Sequence, residues 1–353
     1  MSKEKLKFID LFAGIGGFRL GFESVGCECV FASEIDEHAC EMYELNFGDN
    51  PKCDITKLNP ANVPDFDILC AGFPCQTFSI CGKQKGFYDD ARGTLFFDIC
   101  RILEEKKPKV FVLENVFNLE KHDSGRTLTI MLSVLSELGY TVVYKVLNAR
   151  NFGVPQNRER IVIVGNLEGK VFDYSKLKTN QVDSMKNFLD KKGDFEILPT
   201  NSYTILDSSL VKKQPKSGLM FCGYRNKKIR KIGVRDGTEH LSRVHKQPNR
   251  IYDANGIHPT LSSQESSGRY FIKDGNIVRK LTMSECFRFM GFPEGYKKLG
   301  GSAQLYARIG NSICVNMVKA IAVEVVNQFF NGGEIMDIVN KFLEKKFMEA
   351  EKL

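Results

Sequence analysis

From Lys7 to Gly165 the chain alternates short apolar runs with stretches of helical periodicity. Lys7–Leu11, Cys29–Ser33, Asp67–Ala71, Val110–Glu114, Thr141–Leu147 and Ile161–Gly165 have the length and composition of strands. Between them, Phe18–Val25, Glu37–Asn46, Gly93–Lys106 and Gly125–Leu138 repeat apolar residues about every 3.6 positions. Strands that alternate with helices are joined by crossovers, which make neighbours parallel and put helices on both faces of the sheet. The expected fold class is α/β, a doubly wound and mainly parallel sheet.

The alternation stops after Gly165. Residues 170–280 are richer in Lys, Ser, Asn and Gly, with short strand-like pieces at Tyr203–Leu206, Ser217–Cys222 and Arg269–Ile272. Helical periodicity returns at Thr282–Met290, where Gly291-Phe292-Pro293 stops it, and again at Ile313–Phe330. Glu334–Leu353 reads as an amphipathic helix, with Ile335, Ile338, Val339, Phe342 and Phe347 on one face. At 353 residues the chain has the length of two domains of roughly 150 residues each. The expected division is a first domain at 1–172, a smaller irregular one at 173–278, and helices at 279–353 that return to the first.

Charge separates the parts further. The net charge is +7, yet residues 205–255 hold twelve Lys or Arg against four acidic residues. A basic segment on a nearly neutral body is the electrostatic footprint of nucleic-acid binding, with a solvated loop-rich face as the alternative. No apolar run approaches the roughly 18 residues of a membrane span, and the N-terminus lacks a signal-peptide core, so the chain is expected in the cytoplasm. Eleven cysteines, mostly in apolar segments and with no CxxC pair, read as free buried thiols. No metal site is expected.

The first strand runs into Phe12-Ala13-Gly14-Ile15-Gly16-Gly17. Glycines there permit positive φ and let a ligand approach backbone at a helix N-terminus. A dinucleotide fingerprint needs a further glycine at position 19, where the chain has Arg19. Glu34, twenty residues after Gly14, ends the second strand, where a carboxylate can accept ribose hydroxyls. This suits a nucleoside without a pyrophosphate, and S-adenosylmethionine (SAM) is the candidate. Asp54 ends another short segment and is suited to an adenine amino group. A tight strand–helix turn with no ligand is the alternative.

Three more segments carry chemistry. Pro74-Cys75-Gln76 follows the strand Asp67–Ala71 among turn residues, at the sheet edge where ligands bind. A thiolate there is a good nucleophile near neutral pH, with an inert core thiol as the alternative. Val110–Glu114 ends in a carboxylate at the same edge, able to share a proton with a ring nitrogen or, alternatively, to cap a helix. In Gln156-Asn157-Arg158-Glu159-Arg160, the two arginines alternate onto one face of a starting strand, with surface ion pairs as the alternative.

Asp10–Gly17, Pro74-Cys75-Gln76, Glu114-Asn115-Val116, Gln156–Arg160 and Gly310-Asn311-Ser312-Ile313 stand in the order and approximate spacing of motifs in the DNA cytosine-5 methyltransferases. The chain resembles that family, in its bacterial restriction-modification form, over roughly residues 6–330; residues 170–260 match in position rather than motif. The resemblance implies a Rossmann-like, SAM-dependent methyltransferase sheet with a target-recognition domain at 173–278. It implies that Cys75 attacks C6 of a cytosine rotated out of duplex DNA while Glu114 holds or protonates N3, so that C5 becomes the methyl acceptor. Arg160 and Arg158 resemble the arginine at the cytosine carbonyl and phosphate. The implied cofactor pocket comprises Phe12, Ala13, Gly14, Ile15, Gly16, Gly17, Glu34, Ile35, Asp54, Ile55, Gly72, Pro74, Leu95, Asn311 and Ser312.

On the DNA side, Gly82–Gly93 resembles a mobile loop following the nucleophile, and Gln76, Ser79, Lys83 and Arg92 are the expected contacts there. Lys227, Lys228, Arg230 and Lys231 are candidates for phosphates, and Arg225, Arg235, Arg243 or Gln247 for base edges. Thr260-Leu261 resembles the Thr-Leu pair near the end of the recognition domain. Cys81 departs from the alanine of many relatives. The implied partner is double-stranded DNA at a short specific site, with a restriction endonuclease of the same specificity as a functional companion, and a monomer is expected. Methylation of tRNA cytosine, and a catalytically inactive DNA-binding relative, remain as alternatives.

Overall fold

The computed structural model describes residues 4–74, 95–227, 237–263 and 271–330. Cys75, Gln76, Ser79, Cys81, Lys83, Arg92, Lys228, Arg230, Lys231, Arg235 and the expected helix at 334–353 lie outside the described residues. The chain divides into two compact units, one of Met1–Leu147, Arg160–Lys178 and Met317–Leu353, the other of Asn148–Glu159 and Thr179–Asn316.

In the first unit a six-stranded sheet has the order β2-β1-β3-β4-β7-β5. Its strands are β1 (Lys7–Leu11), β2 (Glu28–Ser33), β3 (Ile68–Gly72), β4 (Val110–Val116), β5 (Thr141–Asn148) and β7 (Glu159–Asn166); the two-residue β6 (Gln156–Asn157) belongs elsewhere. Pairs β1/β2, β1/β3 and β3/β4 are parallel, and β7 runs antiparallel to β4. The exception follows from chain length. The ten residues between β5 and β7 are too few for a helical crossover. β1, β3 and β4 are apolar almost throughout because helices cover both faces. Ile9, Leu11, Leu69, Ala71, Phe111 and Leu113 enter one large core with Phe96, Ile99 and Leu103 of helix Leu95–Lys106 and Met131 and Val134 of helix Arg126–Glu137.

Strand order reverses at β1, which has β2 on one side and β3 on the other. In open α/β sheets such a reversal opens a ligand crevice at the carboxyl ends of the strands. The glycine turn after β1 and the Phe73-Pro74 segment after β3 both fall at this end.

The second unit contains a five-stranded sheet ordered β13-β12-β10-β9-β8. Here β8 is Tyr203–Ile205, β9 Phe221–Arg225, β10 Arg250–Asp253, β12 Phe271–Asp274 and β13 Ile277–Lys280. Leu198, Cys222, Ile251, Phe271 and Val278 form its core. β10, β13 and helix Ser302–Asn311 are absent from the sequence expectations. β13 hides because its alternation includes a charge: Arg279 is fully buried, its guanidinium doubly bonded to Glu285 at 2.9 and 2.8 Å and its Nε to Asp274 at 3.0 Å. Glu285 also closes the capping box of helix Met283–Arg288 through Thr282.

That network explains a difference in organisation. The sequence puts the return to the first domain at 279, whereas the chain re-enters the first unit at Met317. Residues 148–159 likewise join the second unit, where β6 pairs in parallel with β11 (His258–Pro259). Ser302–Phe329, which holds the helices Ser302–Asn311 and Val315–Phe329, is long and apolar enough to cross a membrane by length and composition. Two-thirds (67%) of its apolar window is buried inside the protein, as in the core helices of a folded domain. The described cysteines are free thiols.

Candidate active site

The turn after β1 is built on left-handed backbone. Phe12, Gly14 and Gly16 have φ of 57°, 55° and 78°. At Gly16 no side chain fits, since a Cβ would sit 2.2 Å from the Phe47 ring. Gly14 differs: a Cβ there would meet nothing nearer than the Phe12 carbonyl oxygen at 3.9 Å, so its surroundings are open. Ala13 and Ile15 are buried, and Gly17 opens helix Gly17–Glu23.

Glu34 organises this turn. One carboxylate oxygen accepts the Gly14 N–H at 2.8 Å and the other accepts the N–H groups of Ile35 and Asp36, both at 2.8 Å. The carboxylate thus joins the glycine turn to the end of β2. Beside it, Ile35 is 70% exposed, a large apolar side chain at the crevice. Asp54 caps the turn Ile55–Lys57 by accepting from Thr56, and these bonds with Lys57 nearby hold its carboxyl below the usual range. Arg101 fixes that turn from behind through the Ile55 and Leu58 carbonyls, a role with no sequence signal. Ile55 is buried, and Leu95, at the start of its helix, packs on the core.

Arg19 fills the place of the missing glycine with structure. Its guanidinium bonds Glu23 at 2.7 Å, Asp49 and the Tyr43 hydroxyl, and lies over the Phe47 ring at 4.6 Å. It clamps helix Gly17–Glu23 to helix Glu37–Phe47 (capped by Asp36), a contact that a glycine cannot make.

At the carboxyl ends of β3 and β4, Gly72 stands in register with Glu114. A Cβ on Gly72 would lie 3.6 Å from Glu114 Oε2 and 3.5 Å from the Phe18 ring, so the carboxylate faces the end of β3, two residues before Pro74. Arg160 Nε approaches Glu114 Oε1 at 3.0 Å. Burial pushes the Arg160 pKa down and Glu114 pushes it back up. Asn115, buried, donates from Nδ2 to the Phe73 carbonyl at 2.9 Å and accepts the Val116 N–H at 2.8 Å. It therefore ties β4 to the residue that precedes Pro74-Cys75.

Arg158 does not share the face of Arg160. The chain turns at Arg158, whose N–H bonds the Gln156 carbonyl, so β6 and β7 are separate strands and the alternation breaks. Its wholly buried guanidinium bonds the carbonyls of Leu261 (3.1 Å), Gly310 (2.9 Å) and Ser312 (2.6 Å), which gives it a place in the second unit's framework. Gln156 works alongside it, bonding the Phe289 carbonyl and the Leu261 N–H, both at 2.9 Å.

The other expected residues of the second unit fall as follows. Thr260 donates to the Asn157 carbonyl at 2.7 Å. Ser312 is buried and Asn311 exposed, both outside the unit that contains the glycine turn. Arg225 lies over the Phe271 ring at 5.3 Å, whereas Lys227, Arg243 and Gln247 are exposed.

Comparison with known proteins gives a consistent result. A family model described as C-5 cytosine-specific DNA methylase matches residues 6–327. The chain is 42% identical to the type II methyltransferase M.HhaI of Haemophilus parahaemolyticus over 333 residues, 91% of this chain and 94% of that one. It is 41% identical to M.HaeII of Haemophilus aegyptius over 324 residues, 92% of this chain and 94% of that one. In fold it is similar to the S. pombe Dnmt2 methyltransferase, with a TM-score of 0.63 at 19% identity over 93% of this chain and 100% of that one.

Proposed function

The chain belongs to the C-5 cytosine-specific DNA methylase family, as a DNA cytosine-5 methyltransferase of the type II restriction-modification kind, and from that premise we propose how its residues perform the reaction. The observation that carries the proposal is the buried Glu114–Arg160 pair at the carboxyl end of β4, beside the segment that leads into Cys75.

The glycine turn suits a nucleoside methyl donor. Gly14 leaves open space, Ile35 offers an exposed apolar face for adenine, and Glu34 and Asp54 supply carboxylates at the crevice. SAM, when bound, supplies an electrophilic methyl group. Phe12, Ala13, Gly14–Gly17, Ile35, Ile55, Gly72, Pro74 and Leu95 are the proposed cofactor residues of the first unit, and Asn311 and Ser312 those proposed in the second.

The chain's own chemistry starts at Cys75, whose thiolate adds to C6 of a cytosine rotated out of the duplex. Glu114 holds or protonates N3 and so stabilises the electron pair that makes C5 nucleophilic. Arg160 orients that carboxylate. With the methyl group accepted at C5, loss of the C5 proton to a solvent base and elimination of the Cys75 thiolate restore the aromatic ring. Gln76, Ser79, Lys83 and Arg92 contact DNA around the target. Lys227, Lys228, Arg230 and Lys231 bind phosphates, while Arg225, Arg235, Arg243, Gln247 and Thr260 border the bases. The protein acts as a cytoplasmic monomer on a short duplex sequence, alongside a restriction endonuclease of the same specificity.

The test is bisulfite sequencing of plasmid DNA from a host without cytosine-5 methylation, expressing this protein or Cys75→Ser. Protected cytosines at one short motif, lost in the variant, are expected. Unmodified DNA from soluble protein that binds SAM rejects the duplex-DNA reading.

A further inference from the structure

Asp10, at the base of the glycine turn, is a buried carboxyl with no hydrogen-bond partner among the described residues. Ile9 and Leu11 enter the main core, so alternation turns Phe8 and Asp10 to the opposite face of β1. Phe8 packs there on Phe22 of helix Gly17–Glu23, ring centroids 5.4 Å apart. Asp10, four residues before Gly14, is wholly buried, and neither of its oxygens has a hydrogen-bond partner among the described residues.

The groups that face it come from every neighbouring element. Helix Gly17–Glu23 contributes Arg19 and Glu23, β2 and its end contribute Cys29 and Glu34, helix Glu37–Phe47 contributes Tyr43, and β3 contributes Cys70. Arg19 is already engaged by Glu23, Asp49 and Tyr43. Burial pushes the Cys29 thiol up to about 12 and raises Cys70 and Tyr43 as well, so those three stay neutral. Burial also pushes the Asp10 carboxyl well above the ordinary carboxylate range. The Arg19 N–H and guanidinium act against this, but the N–H does not reach hydrogen-bond geometry. A carboxyl whose ionisation burial disfavours, with neither oxygen hydrogen-bonded among the described residues, responds strongly to any added charge.

On the reading that the glycine turn holds SAM, we infer that Asp10 is the specificity-determining residue by which the site distinguishes the cationic sulfonium donor from its uncharged thioether product. Donor and product share their adenosine and amino-acid parts and differ by one methyl group and one positive charge. A cation at the turn favours the ionised form of Asp10, whose proton passes to solvent; a neutral thioether does not. Donor binding therefore releases a proton and strengthens as pH rises, whereas product binding through this group is independent of pH.

Calorimetric titration of the full chain with SAM and with S-adenosylhomocysteine tests this, from about pH 6 to about pH 8.5 in two buffers of different ionisation enthalpy. Wild type is expected to release a proton with SAM and not with the product. Asp10→Asn keeps the shape and cannot ionise. It should bind the product within about twofold of wild type and SAM about tenfold more weakly at the upper pH, with no difference at the lower end. A variant that keeps the wild-type donor-to-product ratio at every pH overturns the inference. If Asp10→Asn does not fold, wild type alone decides, because equal proton release with both ligands overturns it too. Wild type that binds neither ligand rejects the SAM reading itself, and the inference with it.

Discussion

Arg160 and Glu114 form an ion pair, Nε to Oε1 at 3.0 Å, with each side chain only 12% exposed. The sheet register makes the pair, since β7 runs antiparallel to β4 and brings Arg160 opposite Val116 near the strand end. Glu114→Gln is expected to lower the methylation rate by about 10²- to 10⁴-fold while DNA binding persists. Arg160→Ala should cost about 3 kcal/mol of stability as well, because it leaves a carboxylate buried without its partner. Single-turnover rates and urea unfolding check both. A Glu114→Gln enzyme of wild-type rate would remove Glu114 from the chemistry.

Asn115 makes two bonds that different substitutions separate. Asn115→Asp keeps the acceptor for the Val116 N–H but loses the donor to Phe73; Asn115→Ala loses both. Alanine should cost about 1–2 kcal/mol. Both variants should slow the chemical step while leaving SAM affinity within about twofold, since the lost bond anchors the segment before Cys75. Rates unchanged in the aspartate variant would mean that the Phe73 tie does not position the nucleophile.

Arg158 tests the separation of the two arginines. Arg158→Met orphans three carbonyls and should cost about 3 kcal/mol, roughly one per lost bond. The folded fraction should keep its KM for DNA. Undiminished stability with a large rise in KM would return Arg158 to the substrate.

His258 gives the second unit a pH dependence. Burial pushes its pKa down to about 4, against the pull of its bond to the Pro259 carbonyl. The unfolded chain therefore binds a proton that the folded one refuses. This contribution is complete above the ordinary value of 6.5 and is lost as pH falls toward 4. His258→Gln should flatten the fall of stability with acid across that window by about one proton. An identical slope in the variant contradicts the assignment.

The parallel sheet was legible because its strands are buried on both faces and stand as bare apolar runs between helices. Glu114 was legible for the same reason, as a carboxylate ending such a run. The second unit was harder to read. Arg279 is fully buried only because Glu285 and Asp274 meet it, and a strand with a charged inward position breaks the apolar pattern. Arg158 and Arg160 look equivalent in sequence, yet the turn at Arg158 sends one to backbone carbonyls and the other to Glu114. Asn115 was visible within its motif, but its grip on Phe73 needs two strand ends brought together. Asp10 was visible as well, although only the fold shows that its oxygens lack a hydrogen bond among the described residues.

Covalent catalysis by Cys75, with Glu114 at the ring nitrogen, passes through an adduct that can be trapped. A duplex carrying 5-fluorocytosine at the methylated position cannot lose a proton from C5, so the thioether to C6 should persist after methyl transfer. A denaturation-resistant protein–DNA adduct is expected that requires SAM, maps to Cys75 by peptide mass spectrometry, and is absent from Cys75→Ser. An adduct at another residue, or one that survives the serine substitution, would contradict covalent catalysis by Cys75.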